Sequence, residues 1–236
     1  MTLKRVAIGI VAAVALLVLG GYGYLSYYRY ASRSPDFFDD AIAAFEEQDR
    51  RSPPAPGTIV FVGSSSIRMW STLAEDMRPL PVINRGFGGS QMSHVIRNVD
   101  RIVTPYDAGA IVVYEGDNDL QAGSSKTPES VAADFSELVG LIRAKRPDVP
   151  IYFMSIKPSK LRWAQWPAMS RANALIEGIC AADPGLTYVD VASPMLGKDG
   201  EPRGDVFRLD GLHMNAAGYA IWTGVIKPVL MRDLRR

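Results

Sequence analysis

The 236-residue chain has one cysteine, Cys180, and only two histidines, His94 and His213. A single thiol excludes an internal disulfide and a cysteine-based zinc site. It leaves the compartment open, and any exported domain must fold without staples. Net charge is almost absent too: 26 basic against 25 acidic side chains leave +1. That balance gives no electrostatic reason to expect a nucleic-acid partner. No repeat and no long low-complexity tract appears. The composition, 47% hydrophobic and 22% charged, fits a globular chain rather than a disordered one.

One stretch lacks charge altogether. Residues 6–28, VAIGIVAAVALLVLGGYGYLSYY, form a run long enough to cross a hydrocarbon core of about 30 Å. Lys4 and Arg5 precede it, and Tyr22, Tyr24, Tyr27 and Tyr28 gather at its far end, where a headgroup belt favours amphipathic rings. Residues 1–33 are expected to be an N-terminal transmembrane anchor that meets the membrane through 6–28. The alternative is a signal segment cut near the small residues Gly21 and Gly23. Arg29 and Arg33 follow the run and nearly offset the charges before it, so the positive-inside rule decides orientation only narrowly. The reading puts the C-terminal domain outside the cytoplasm: membrane-anchored, or secreted or periplasmic after cleavage.

Residues 34–57 read as an amphipathic helix and a linker. Ser34 is a candidate cap, Pro35 suits a first turn, and Phe38, Ile42 and Phe45 share a face. SPPAPG (52–57) is a short stiff connector. From 58 to 236 the chain is one ordinary domain with ample core. Apolar runs at 58–62, 81–84, 110–114, 151–156 and 187–191 alternate with helical patterns. Met92, Val95, Ile96, Val99 and Ile102 recur at helical spacing, as do Val131, Phe135, Leu138, Val139 and Ile142. Thr127-Pro128-Glu129 marks a helix start. The tail from Asn215 is another helix, which Pro228 is expected to kink or end. This rhythm predicts an α/β fold, a three-layer α/β/α sandwich on about five parallel strands. Function then lies just past the carboxyl ends of the strands.

Four short segments fall near those ends: Gly63-Ser64-Ser65-Ser66, NRGFGGSQ (84–91), EGDND (115–119) and LDGLHMN (209–215). An activated serine needs a base within reach, and histidine is the usual one. His213 follows Asp210 by three residues, so the acid can fix its tautomer while the other ring nitrogen faces a serine. His94 has no acid at such spacing and reads as a surface or capping residue. Acyl transfer also needs donors aimed at an oxyanion. Gly86, Gly88 and Gly89 permit close backbone approach, and the Asn118 amide can supply another donor. Taken alone, the glycines would be a tight turn. DND alone would suit a metal, but no other acidic cluster accompanies it.

In this order the blocks resemble the SGNH (GDSL) hydrolase family, which has a flavodoxin-like fold. FVGSSS resembles its first block, which makes Ser65 the nucleophile and its N–H an oxyanion donor. NRGFGGS resembles the second and assigns Gly89 as a donor. EGDND resembles the third and assigns Asn118. DGLH resembles the last, so Asp210 and His213 complete a triad. The chain departs from the pattern once: the family's Asp before the nucleophile is Ser64, which leaves Ser64 and Ser66 as rival nucleophiles. The resemblance implies a carboxylic ester hydrolase working through an acyl-enzyme, with no metal and no organic cofactor. Its substrate would be a small-molecule, lipid or glycan ester. The lack of a long apolar insertion near the site favours short acyl groups. An inactive relative binding a glycan or lipid at the envelope, and an acyltransferase, are the alternatives. Lys157 and Arg162, after the fourth strand, are candidate binders of an anionic or sugar group, or members of a solvated basic loop. Trp163 and Trp166 line a pocket or join the core. Oligomeric state is not legible.

Overall fold

The computed structural model describes residues 3–31, 34 and 36–234. Arg33 and Pro35 lie outside them, as do the side chains of Lys4, Arg5, Tyr24, Tyr28 and Arg29. The chain divides into two compact units, Met1–Asp40 and Ala41–Arg236. The first consists mainly of helix α1 (Leu3–Ala31), whose stretch Val6–Gly23 is long and apolar enough to cross a membrane and has none of its residues buried.

Helix α2 (Asp39–Arg51) starts later than the Ser34 cap predicts. Phe37 N–H donates to Ser34 O and Asp39 N–H to Asp36 O, so this stretch closes in i→i+3 turns rather than in α-helical bonds. Within the second unit α2 is tied to the sheet region. Ile42 is buried. Glu46 accepts two bonds from Arg101, at 2.7 and 2.9 Å. Asp49 accepts from Tyr106 Oη at 2.7 Å and from the buried Arg85.

The five predicted strands are all present. They are β1 (Ile59–Gly63), β2 (Val82–Gly86), β3 (Ala110–Tyr114), β4 (Ile151–Met154) and β5 (Leu186–Val189). They pair in parallel in the order β2-β1-β3-β4-β5. Side chains alternate between the faces of a strand. Phe61 of β1, Val112 and Tyr114 of β3 and Tyr152 of β4 join one core with Trp70, Trp222, Ile226 and Leu230. Trp70 comes from the segment that follows β1, and the other three from α8 (Ala216–Asp233). On the opposite face Phe153 meets Phe135 with ring centroids 5.0 Å apart, and α5 (Met92–Ile102), α6 (Pro128–Lys145) and α7 (Trp166–Ala181) pack side by side. Three layers result, because both faces of each central strand are apolar and need a cover.

Two helix expectations need adjustment. Pro228 sits inside α8 without ending it. Helix α7 is not predicted by the periodicity reading, although Met169, Ala172, Ile176 and Cys180 line its buried side. Asn173 interrupts that apolar stripe and is itself buried. The short helices α3 (Ser65–Arg68) and α4 (Leu73–Asp76) follow β1. The chain runs from β1 outward to β2 and returns past β1 to β3, so the sheet changes direction between β1 and β3. In such sheets the crevice at the carboxyl ends of those two strands is where ligands bind.

Candidate active site

Strand β1 ends at Gly63, and Ser65 opens α3 immediately beyond it. The turn is pinned on several sides. Ser64 N–H donates to Tyr114 O on β3, and Phe87 N–H donates to Gly63 O. Tyr219 Oη of α8 donates to Ser66 O at 3.0 Å. At Gly86 a Cβ would lie 2.3 Å from Arg68 N, so glycine lets the end of β2 approach α3. Of the three serines, Ser64 is fully buried, and among the described residues its hydroxyl has no partner. Ser66 is buried as well, whereas Ser65 is partly exposed.

Ser65 Oγ lies 3.0 Å from His213 Nε2, and His213 Nδ1 lies 2.6 Å from Asp210 Oδ2. The other Asp210 oxygen accepts the N–H groups of Leu212 and His213, both at 2.9 Å. Burial acts to raise the Asp210 carboxyl, but the His213 ring and these two N–H groups outweigh it and bring it down to about 2. An ionised carboxylate only accepts, so His213 carries its proton on Nδ1. That leaves Nε2 as an acceptor for the Ser65 hydroxyl.

The loop that presents this pair is held by its own backbone. Arg208 N–H donates to His213 O and Gly211 N–H to Arg208 O, while Phe207 and Met214 form an antiparallel bridge. Gly211 has φ 64°, a left-handed conformation that glycine adopts without strain. Asn215 caps α8, accepting from Ala217 and Gly218, and its amide donates to Asp205 O at 2.7 Å and Phe207 O at 3.2 Å. The cap and the loop are thus fixed by one side chain.

Gly89 has φ 82°, again in the left-handed region. It is followed by Ser90, whose carbonyl accepts Asn118 Nδ2 at 2.8 Å. The second and third blocks therefore meet at Ser90. His94 occupies the capping position expected of it: its Nδ1 accepts Gln91 N–H at 3.0 Å at the start of α5.

The family description GDSL-like Lipase/Acylhydrolase matches residues 57–221. The chain belongs to that family. It is therefore a carboxylic ester hydrolase. No curated protein matches it in sequence. Among solved structures, a Streptococcus pneumonia protein whose name refers to platelet activating factor superposes with a TM-score of 0.74 at 17% identity, covering 89% of this chain and 99% of that one. A GDSL-like lipase from Bacteroides thetaiotaomicron reaches 0.69 at 18% identity, over 81% and 97%. A carbohydrate esterase family 3 protein from Talaromyces cellulolyticus reaches 0.62 at 19% identity, over 76% and 98%. At these identities the likeness is one of fold.

Among the remaining expected site residues of this GDSL-like hydrolase, Lys157 lies deeper than a solvated loop would place it. Residues 155–159 are buried, and Lys157 is only 1% exposed. Its ammonium lies 3.1 Å from Asp117 Oδ2 and 3.3 Å from Tyr114 Oη. It is an internal ion pair with Asp117 and not part of a solvated basic loop. β4 lies between β3 and β5, and Asn173 holds both backbone groups of Ile156 just past its carboxyl end. Arg162 is also held inward. It donates to Asp117 O at 2.6 Å and to Asn118 Oδ1 at 2.8 Å. Burial pushes the Asp117 carboxyl up, but the charges of Lys157 and Arg162 overcome this and leave it below its usual range. Trp163 and Trp166 stack on each other at 6.0 Å and are half-buried. No group of three metal-ligating side chains occurs among the described residues.

Sequence reasoning missed two supporting residues. Asn173 of α7 clasps the chain just before Lys157, accepting Ile156 N–H at 2.8 Å and donating to Ile156 O at 2.9 Å. Glu115 is bonded to Ser90 Oγ, and burial together with the nearby Asp119 pushes its carboxyl well above the usual range. A polar residue inside an apolar helical stripe was the available signal for Asn173. For Glu115 the sequence held none.

Proposed function

We propose that residues 58–236 form a serine esterase that cleaves short acyl groups from a lipid or glycan ester through an acyl-enzyme on Ser65. The observation that carries this reading is the continuous hydrogen-bonded chain from Ser65 Oγ through His213 to Asp210. His213 Nε2 takes the hydroxyl proton as Oγ attacks the ester carbonyl carbon. The carbonyl oxygen becomes an oxyanion, received by the N–H groups of Ser65 and Gly89 and by Asn118 Nδ2. The first N–H groups of a helix have no intrahelical acceptor, and Ser65 opens α3. Collapse expels the alcohol, which takes its proton from His213. Water then repeats the cycle and frees the acid. Asp210 holds the imidazole in the required tautomer throughout.

In the same reading α1 anchors the enzyme in a membrane, with the hydrolase unit outside the cytoplasm. The fold shared with the carbohydrate esterase from Talaromyces supports a glycan ester as one substrate class.

The test is hydrolysis of p-nitrophenyl acetate, followed by an acyl-length series, with the full-length protein in detergent. Ser65→Ala is expected to lower kcat by about 10⁴-fold or more. Ser64→Ala, which removes a buried hydroxyl with no partner, is expected to leave kcat nearly unchanged. If Ser65→Ala keeps the wild-type rate, the nucleophile assignment is wrong. A folded wild type that binds the ester without turning it over would favour the inactive binding protein instead.

A further inference from the structure

We infer that Arg162 is a positioning residue for the oxyanion donor Asn118, fixing which end of its side-chain amide faces the reacting carbonyl; this rests on the esterase reading of the site. A side-chain amide has two ends of nearly equal shape, one accepting and one donating. Arg162 fixes the accepting end, because a guanidinium only donates, just as the Ser90 carbonyl, which only accepts, holds the donating one. Its Nη2 lies 2.8 Å from one end of the Asn118 amide, so that end is the oxygen. The NH₂ must then point the other way. One of its two hydrogens goes to Ser90 O at 2.8 Å. The second is left for the oxyanion.

Arg162 is itself held rigidly. Its Nη1 donates to Asp117 O at 2.6 Å and approaches Asp117 Oδ2 at 3.5 Å. Asp117 is also paired with the buried Lys157 at 3.1 Å. Asp117 therefore faces both the Lys157 ammonium and the Arg162 guanidinium behind the amide. Arg162 withdraws electron density from the Asn118 oxygen, and chains of hydrogen bonds strengthen one another in this way inside a protein. The free N–H of Asn118 is thereby a stronger donor at the moment negative charge develops. The planar fork matters, since it reaches the Asp117 carbonyl and the Asn118 amide together. A lysine carries the same charge but is a single point that cannot span both.

Arg162→Lys is the decisive variant, because it keeps a cation beside Asp117 and so preserves the buried charge balance. Arg162→Ala is the companion. Both are made in the full-length protein, alone and on Asn118→Ala. The expected result for Arg162→Lys is a kcat lowered by about 10- to 100-fold with KM within about threefold. On the Asn118→Ala background the same substitution should change kcat by less than about threefold, since residues acting through one another are non-additive. A second readout does not depend on turnover. The side-chain ¹⁵N–¹H amide signals of Asn118, assigned by their loss in Asn118→Asp, should be two separated, slowly exchanging resonances. In Arg162→Lys they should exchange with water faster and shift towards those of an exposed asparagine.

Unchanged Asn118 signals in a folded Arg162→Lys protein would overturn the inference. So would a raised KM at unchanged kcat, which would make Arg162 a substrate contact, or full additivity with Asn118→Ala. The expected change of the Asn118 signals in Arg162→Lys, beside a folded wild type that hydrolyses no ester, would leave the positioning role standing and remove the esterase reading.

Discussion

Ser64, Ser65 and Ser66 carry the same hydroxyl, and what separates them is where the backbone aims each one. Two point into the sheet and helices, and one points at His213. The same holds for the carboxylates. Asp210 has an exposed side chain yet sits at about 2, because its oxygens accept from a ring and two backbone N–H groups. Asp119 is buried and rises to about 7, with burial the main cause. For Asp210 the sign follows directly. Its folded value lies below the ordinary 3.8, so the stability it contributes is complete above about pH 4 and is lost as the pH falls through about 2. Asp210→Asn is expected to lower kcat by about 10⁴-fold, since an amide no longer enforces the tautomer. Its stability deficit against wild type should shrink between pH 4 and pH 2. Urea unfolding at stepped pH measures this, and a deficit constant across that window would count against the assigned cause.

Elements, rather than single residues, set the depth of the site. Helix α7 packs against β5 and uses Asn173 to hold both backbone groups of Ile156. That clasp fixes the start of the segment that carries Lys157 and Arg162 inward. Asn173→Ala leaves two buried backbone groups without partners, so a loss of about 1–3 kcal/mol per group is expected. Chemical denaturation reads it, and a change under about 0.5 kcal/mol would mean that the clasp is not needed. The strands and most helices were legible because their apolar periods are strong. Helix α7 was hidden by the polar Asn173 in its buried stripe. The burial of the segment after β4 was not legible for a related reason: lysine and arginine are mostly exposed, and only an internal carboxylate such as Asp117 makes their burial tolerable.

At the scale of the molecule, the sheet-bearing unit holds every group assigned to the chemistry, and α1 holds none. Removal of residues 1–35 is therefore expected to give a protein that stays in solution without detergent, unfolds cooperatively and keeps the full chain's kcat/KM on acetyl esters. The full chain should remain with membranes after an alkaline carbonate wash. If the shortened protein fails to fold, the first residues contribute to the hydrolase unit. If the full chain washes off, α1 does not span.

The sequence by itself determined the layered α/β architecture, because five apolar runs alternating with helical patterns have few other ways to bury themselves. It also carried the order of the four blocks, and with them Ser65, Gly89, Asn118, Asp210 and His213 as candidates. Only the tertiary structure decided which serine meets the histidine, since three adjacent serines are equivalent until a turn orients them. Only it showed that Lys157 and Arg162 share the carboxylate of Asp117. Those pairings join residues about 40 positions apart, and no local pattern encodes a contact that the sheet order alone creates.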